Sequence, residues 1–332
     1  MQRPASAVAY CLTLFLLART ASSATYSISD TIVGSGFNSA FSYQAISDPT
    51  NGRVNYVNQA TAQADNLTYA SGNTFILRAD HTTTLSSSGP GRNSVRLQSN
   101  AQYTTHVAVF DIRHMPQGCG TWPAVWEVGA NWPNEGETDI LEGVNDQGPD
   151  QVTLHTSSDC SMPSSRAMIG YLISAVLDTC AHANNDSVPR TSTGNDCSTA
   201  DTNNAGCGVR SNDGSSYGPA FNNDGGGWYA IERTSSSITV WFWSRNSGSV
   251  PSDVRNGASS GTPTAYFPDT DCDFASHFGP HNIIINLTFC GDWAGSAYSA
   301  DGCPGTCTDY VNNNPSAFAN AYFDFAGIRV YE

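Results

Sequence analysis

The sequence predicts an all-β protein built as a sandwich of two antiparallel sheets. Three observations carry this. Apolar residues recur with a period of two, or in short runs, over many brief segments. Polar turns separate them, rich in Ser, Thr and Asn, with 30 Gly and 16 Pro in 332 residues. No long amphipathic helix follows the first two dozen residues. Many short strands bury enough apolar surface only when one sheet stacks on another.

Taken in order, segments 74–78, 94–98, 106–112 and 151–155 read as strands. Segments 228–233 and 238–244 flank Thr234-Ser-Ser-Ser237 and read as a hairpin. Segment 281–289 is a strongly apolar strand, and 321–331 closes the fold. No internal repeat or second-domain boundary is visible, so 25–332 is expected to be one domain.

Residues 1–24 are expected to be a secretory leader. Arg3 gives the positive start, 7–17 the apolar stretch, and Ala21-Ser-Ser-Ala24 the small-residue cleavage site. That stretch is too short to span a bilayer, and nothing later qualifies. The expectation is a secreted, extracellular monomer with no membrane partner. The formal net charge of −15 argues against nucleic acid and anionic polymers as partners. The chain has no lysine, which excludes Schiff-base and P-loop chemistry. A neutral polysaccharide would not be repelled.

Cys11 lies in the leader. Nine cysteines remain, and several disulfides are expected, their connectivity unreadable from sequence. Cys303-x-x-x-Cys307 reads as a disulfide loop rather than a metal site, since no histidine is near. Segment 167–189 interrupts an otherwise smooth stretch and carries the odd Cys180. Its removal leaves an even set. It reads as a retained intron, a surface insertion, or a short helix over 169–177. Asn66, Asn185 and Asn286 head glycosylation sequons.

The chemistry concentrates in Glu137-Thr-Asp-Ile-Leu-Glu142. The chain holds six glutamates against 23 aspartates, and four of the six lie between Glu127 and Glu142. Trp122, Trp126 and Trp132 precede the motif closely. Glycoside cleavage needs two carboxyl groups flanking one bond, about 5–5.5 Å apart when the configuration is retained. On a strand Glu137 and Asp139 share a face, but Glu142 is offset by five and would point away. One extra residue in a β-bulge, placed at Ile140-Leu141, would return it. Three carboxyl groups so close cannot all be charged, so their titrations should couple.

These residues resemble glycoside hydrolase family 16, in particular its fungal laminarinase-type endo-1,3(4)-β-glucanases. The resemblance rests on Gly120-Thr-Trp-Pro-Ala-Val-Trp126, Gly136-Glu-Thr-Asp-Ile-Leu-Glu-Gly143, Leu154-His-Thr156 and Cys290-Gly-Asp-Trp-Ala-Gly295. It extends from Asn51 to Tyr331. It implies a concanavalin-like β-jelly roll with a substrate cleft across one sheet, and retaining endo-hydrolysis of β-1,3 and mixed β-1,3/1,4 glucans. It implies Glu137 as nucleophile, Asp139 as assisting residue and Glu142 as acid/base. Trp126, Trp132 and Trp293 are the candidates for sugar stacking, with His155 near the catalytic row. Arg92 and Asn55 are candidates for sugar hydroxyls. Arg96 is expected to be structural and Trp122 mainly packing. No cofactor is expected. This architecture can carry calcium, but no ligand set is visible. Alternatives are a β-glucan transglycosylase and a non-catalytic glucan-binding wall protein.

Overall fold

The computed structural model describes residues 26–166, 168, 171–172, 193–246 and 262–332. In chain order the strands are β1 (Ile28–Ile32), β2 (Phe41–Tyr43), β3 (Val54–Tyr56), β4 (Thr68–Ser71), β5 (Thr74–Arg78), β6 (Arg92–Ser94), β7 (Arg96–Ser99), β8 (His106–His114), β9 (Thr121–Gly129), β10 (Glu137–Glu142), β11 (Gln151–His155), β12 (Tyr171–Leu172), β13 (Val209–Arg210), β14 (Gly227–Arg233), β15 (Ser237–Ser244), β16 (Ala265–Pro268), β17 (His281–Phe289) and β18 (Tyr322–Tyr331). A front sheet runs β12-β13-β11-β10-β9-β17-β7-β2. A back sheet runs β16-β15-β14-β8-β18-β5-β4, with β1 added along β18, and β3 and β6 form a small parallel pair. This is the two-sheet sandwich that the alternating pattern predicts, and the jelly roll that the resemblance implies.

The sheets meet over alternate residues of their central strands, which point to one side because the strand period is two. Ile283, Ile285, Leu287 and Phe289 of β17 face inward with Val125, Leu141 and Leu154. From the back sheet come Phe110, Ile112, Tyr229, Ile231, Phe323 and Phe325. A second, smaller cluster lies on the outer face of the back sheet, where Val107, Val109, Trp228, Ala230, Trp241 and Tyr331 gather with Trp243 alongside. Trp241 and Trp243 therefore pack outside the inter-sheet core, away from the front sheet. The hairpin at 234–237 joins β14 to β15 in continuous register from Gly227↔Ser244 to Arg233↔Ile238.

Among the described residues four disulfides are closed: Cys119–Cys303, Cys160–Cys272, Cys197–Cys207 and Cys290–Cys307. The Cys303-x-x-x-Cys307 expectation needs correcting. Both residues are in disulfides, but with Cys119 and Cys290 rather than with each other. Cys180 lies outside the described residues, as do residues 1–25 and most of 167–189. Within that segment Tyr171–Leu172 is a strand paired with Val209–Arg210, so at these two residues the helical alternative does not hold.

Candidate active site

β10 lies in the middle of the front sheet, between β11 and β9. Its register with β9 runs Glu137↔Val128, Thr138↔Glu127, Asp139↔Trp126, then jumps to Leu141↔Val125 and Glu142↔Ala124. Two residues of β10 thus oppose one step of β9, and Ile140 is the extra residue of a β-bulge. Directly paired residues share a face. Val128, Trp126 and Ala124 are two apart on β9, so their partners Glu137, Asp139 and Glu142 all emerge on one face. The bulge also turns both Ile140 and Leu141 into the core, each fully buried.

The glycines bracketing the motif are required by space. Gly136 adopts φ +75, and a Cβ there would lie 2.5 Å from the Phe278 ring and 2.7 Å from the His277 carbonyl oxygen. A Cβ on Gly143 would lie 2.6 Å from the Tyr217 ring. Larger residues would push β10 outward at either end.

The outward face of the neighbouring strands builds the surroundings. On β11, His155 pairs with Glu137 and Thr153 with Asp139. The imidazole Nε2 lies 3.3 Å from Asp139 Oδ2 and 4.0 Å from Glu137 Oε1. On β9, the Trp122 Nε1–H donates 2.8 Å to Glu142 Oε1. The Trp126 Nε1–H donates 2.7 Å to Asn286 Oδ1 on β17, and the Arg96 guanidinium lies over the Trp126 ring, 4.8 Å from its centre. Arg96 is steadied by donating from Nε to Gln44 Oε1 at 2.7 Å.

Burial and mutual repulsion raise all three carboxyl groups. Glu137 is pushed up to about 8 by burial and by Asp139, against the opposing pull of His155 and Arg96. Asp139 is pushed up to about 8 by burial and by Asp150. Glu142 is pushed up to about 8 by burial and by Asp139, with the Trp122 hydrogen bond opposing. The cluster titrates as a set and retains protons near neutrality. Such an arrangement can hold one carboxylate ionised for attack and one carboxyl protonated for donation. Glu137, Asp139 and His155 also offer ligand atoms within 4.8 Å of one another, and a metal ion could be held there. A cation at that point would occupy the oxygens of Glu137 and Asp139 themselves.

The remaining sequence candidates separate. Trp293 lies beyond Glu142, its ring edge-on to Trp122 at 5.7 Å and 84°. It lines a pocket of about 80 Å³ with Glu142, Gln147, Gln151, Arg210 and Asp301. The disulfides from Cys119 and Cys290 fasten this segment on both sides to the start of β9 and to the helix Cys307–Asn313. Trp132 stands in the turn before Glu137 and is 46% exposed. Asn55 is exposed, and its side chain donates 2.7 Å to Asn93 Oδ1.

Arg92 is a correction. It is fully buried, donates to the Asp80 carbonyl and carboxylate and to the Val311 carbonyl, and lies over the Phe318 ring. It supports the fold from within and cannot reach a sugar. Arg96, expected to be structural, is the arginine at the site. Trp122 is likewise more than packing, since it holds Glu142. Asp150 was missed altogether. It is fully buried, and its Oδ1 accepts from the Glu142 backbone N–H at 2.8 Å.

Comparison with known proteins agrees with this geometry. The family model described as the XgeA-like catalytic domain of glycoside hydrolase family 16 matches residues 41–331. A probable endo-1,3(4)-β-glucanase of Aspergillus niger is 40% identical over 94% of this chain, and this chain covers 41% of that protein. A probable glycosidase of Schizosaccharomyces pombe is 40% identical, with 93% of this chain and 70% of the relative covered. The chain thus spans less than half the length of the Aspergillus relative. Among solved structures, Laminarinase 16A from Phanerochaete chrysosporium, with β-glucans in its donor and acceptor sites, is 59% identical. It superposes with a TM-score of 0.85 over 93% of this chain and all of that one. An elongating family 16 β-1,3-glucosyltransferase is 37% identical with a TM-score of 0.81, over 93% of this chain and all of that one. The bulged carboxyl strand at the centre of the front sheet and these likenesses over nearly the whole described chain give one conclusion: the chain belongs to glycoside hydrolase family 16.

Proposed function

We propose that this protein is an extracellular retaining endo-β-1,3(4)-glucanase. The observation that carries the reading is the Ile140 bulge, which sets Glu137 and Glu142 on one face with Asp139 between them. In the first step a Glu137 carboxylate oxygen attacks the anomeric carbon. The glycosidic C–O bond breaks, and the Glu142 proton passes to the departing oxygen. In the second step Glu142 takes a proton from water, whose oxygen displaces Glu137 from the anomeric carbon. Arg96 and His155 favour the charged form of Glu137, which suits the nucleophile. Glu142 lines the polar pocket with Trp293, which suits the acid that meets the leaving sugar. Asp139, kept protonated, shares its proton with Glu137 as attack and release proceed.

β-Glucan as substrate is supported by the names of the relatives and by the glucan-bound laminarinase. Export is supported by the leader-like pattern of residues 1–24. Among the described residues, no helix is long and apolar enough to cross a membrane.

The test is incubation with laminarin, lichenan, cellulose and agarose, with NMR of the first-formed anomer. Laminarin cleavage releasing the β-anomer first supports the reading. First release of the α-anomer, or inertness toward laminarin and lichenan, overturns it. A second reading, transfer of the glycosyl unit to another glucan, is favoured by the 37% identical glucosyltransferase and by the pocket beside Glu142, where an acceptor would stand in place of water. Lengthened oligosaccharides in the product mixture would support it.

A further inference from the structure

We infer that Asp150 is the positioning residue for the proton donor, holding Glu142 where the bulge has cut its strand loose. This rests on the reading of Glu142 as acid/base and goes beyond it. The ladder between β10 and β11 runs Glu137↔His155, Thr138↔Leu154 and Asp139↔Thr153, and ends there. Past Ile140 the strand no longer matches β11, so the Glu142 N–H has no backbone carbonyl to meet on that side. A carboxyl oxygen of Asp150 takes the carbonyl's place, with Oδ1 accepting from that N–H at 2.8 Å. A buried backbone N–H without a partner would be costly.

Asp150 is itself fixed from a different part of the chain. Its N–H donates 2.9 Å to Ser216 Oγ, and its carbonyl accepts from the Ser211 N–H at 2.9 Å. Ser216 Oγ–H in turn donates 2.7 Å to the Asp213 carbonyl. The Tyr217 ring then fills the space beside Gly143. Glu142 is thus gripped at its carboxylate by Trp122 from β9 and at its backbone by Asp150 from the far side. A displacement of about 1 Å in such a donor costs on the order of 100-fold in rate.

The experiment compares two substrates. Laminarin has a sugar leaving group that must be protonated. 2,4-Dinitrophenyl β-laminaribioside has one that departs without a proton, read as the burst of dinitrophenolate. Asp150→Ala should lose about 10- to 100-fold in kcat/KM on laminarin yet keep the burst rate to within about threefold. Asp150→Asn, whose amide oxygen can still accept, should recover the laminarin rate to within about fivefold of the parent. Ser216→Ala, a milder release of Asp150, should show the same substrate-dependent pattern and serves if Asp150→Ala does not fold. A folded Asp150→Ala or Ser216→Ala that loses equally on both substrates, or on neither, overturns the inference. Glu142→Ala is the control. If it too loses equally on both substrates, the acid/base reading of Glu142 falls, and the Asp150 inference with it. If only Glu142→Ala discriminates between the substrates, the fault lies with Asp150 alone.

Discussion

Replacing Trp122 by Phe removes one N–H from the site and leaves most of the ring. The indole Nε1–H donates 2.8 Å to Glu142 Oε1, while the ring edge meets Trp293, a contact a phenyl group largely keeps. A hydrogen bond to a charged group contributes about 1.5–3 kcal/mol. Water from the adjoining pocket can replace part of it, so the lower end applies. At 1.36 kcal/mol per pKa unit, this is about one unit. The sign follows from which form the donor favours. An N–H stabilises the carboxylate and opposes the upward push of burial and Asp139, so its loss moves Glu142 further up from about 8. Glu142 must carry its proton to cleave the bond, so the alkaline limb of the rate profile should move to higher pH. The assay is kcat/KM on laminarin between about pH 4 and pH 10, where the limbs report the free enzyme's acid and base. Trp122→Phe should shift the alkaline limb up by about one unit and lower the plateau about 10-fold through lost orientation. A folded variant whose alkaline limb stays in place or moves down would refute the claim that Trp122 holds the proton-bearing carboxyl.

Other consequences are equally direct. Glu137→Gln should lower hydrolysis by at least about 10⁴-fold while glucan binding by calorimetry is spared; full hydrolysis would remove Glu137 from the nucleophile's role. Glu137, Asp139 and Glu142 are all pushed up to about 8 in the fold, so from about pH 4 to about pH 8 the native state binds more protons than the unfolded chain. Stability should therefore fall as pH rises through that window, and Glu137→Gln should raise Tm by about 2–4 °C more at pH 8 than at pH 5 in a melting scan. Arg92→Met should cost about 3–5 kcal/mol in denaturant unfolding by stranding the buried end of Asp80, whereas Arg96→Met should weaken kcat/KM with a smaller loss of stability. Asn286 is buried between the Trp126 indole and the Tyr56 hydroxyl, while Asn66 is exposed at a left-handed turn, so peptide mass mapping should find glycan on Asn66 and none on Asn286.

The sequence revealed the site wherever parity governed it. An offset of five between two glutamates is incompatible with one face of a regular strand, so two glutamates flanking one bond require a bulge, expected at Ile140-Leu141 and found there. Strands flanked by turns and dense in apolar side chains, such as 74–78, 151–155 and 281–289, were equally readable, whereas the central β9 was not read as a strand. The edges β1, β2 and β4 were not, since an edge strand has little to bury and its pattern is weak. The two arginines were exchanged for a local reason. Arg92 and Arg96 lie on different strands with Val95 between them, so the parity of one says nothing about the other. Trp122 carried a signal that went unused. Residues 122, 124 and 126 fall on one side of β9, which places Trp122 beside Glu142 once the bulge is granted. Asp150 had none, because its role arises only where β10 and β11 part.

The bulge also explains how the fold tolerates the crowding it creates. Three raised carboxyl groups on one face, with Asp150 behind them, oppose folding at neutral pH. A regular strand would place one core residue between Asp139 and Glu142, but the inserted position places two, Ile140 and Leu141, both fully buried. Burying an aliphatic side chain contributes about 1.5–3 kcal/mol. The same residue that corrects the parity of Glu142 therefore adds core surface directly beneath the repelling groups. The neighbours are held as firmly: Val125 and Ile283 are fully buried beneath β9 and β17, and two disulfides fasten the Trp293 segment. The carboxyl groups cannot relax apart, because each step outward would pull an aliphatic residue from the core or a backbone N–H from its acceptor. Protonation is the relief left to them, and a shared, labile proton is what the two-step displacement uses.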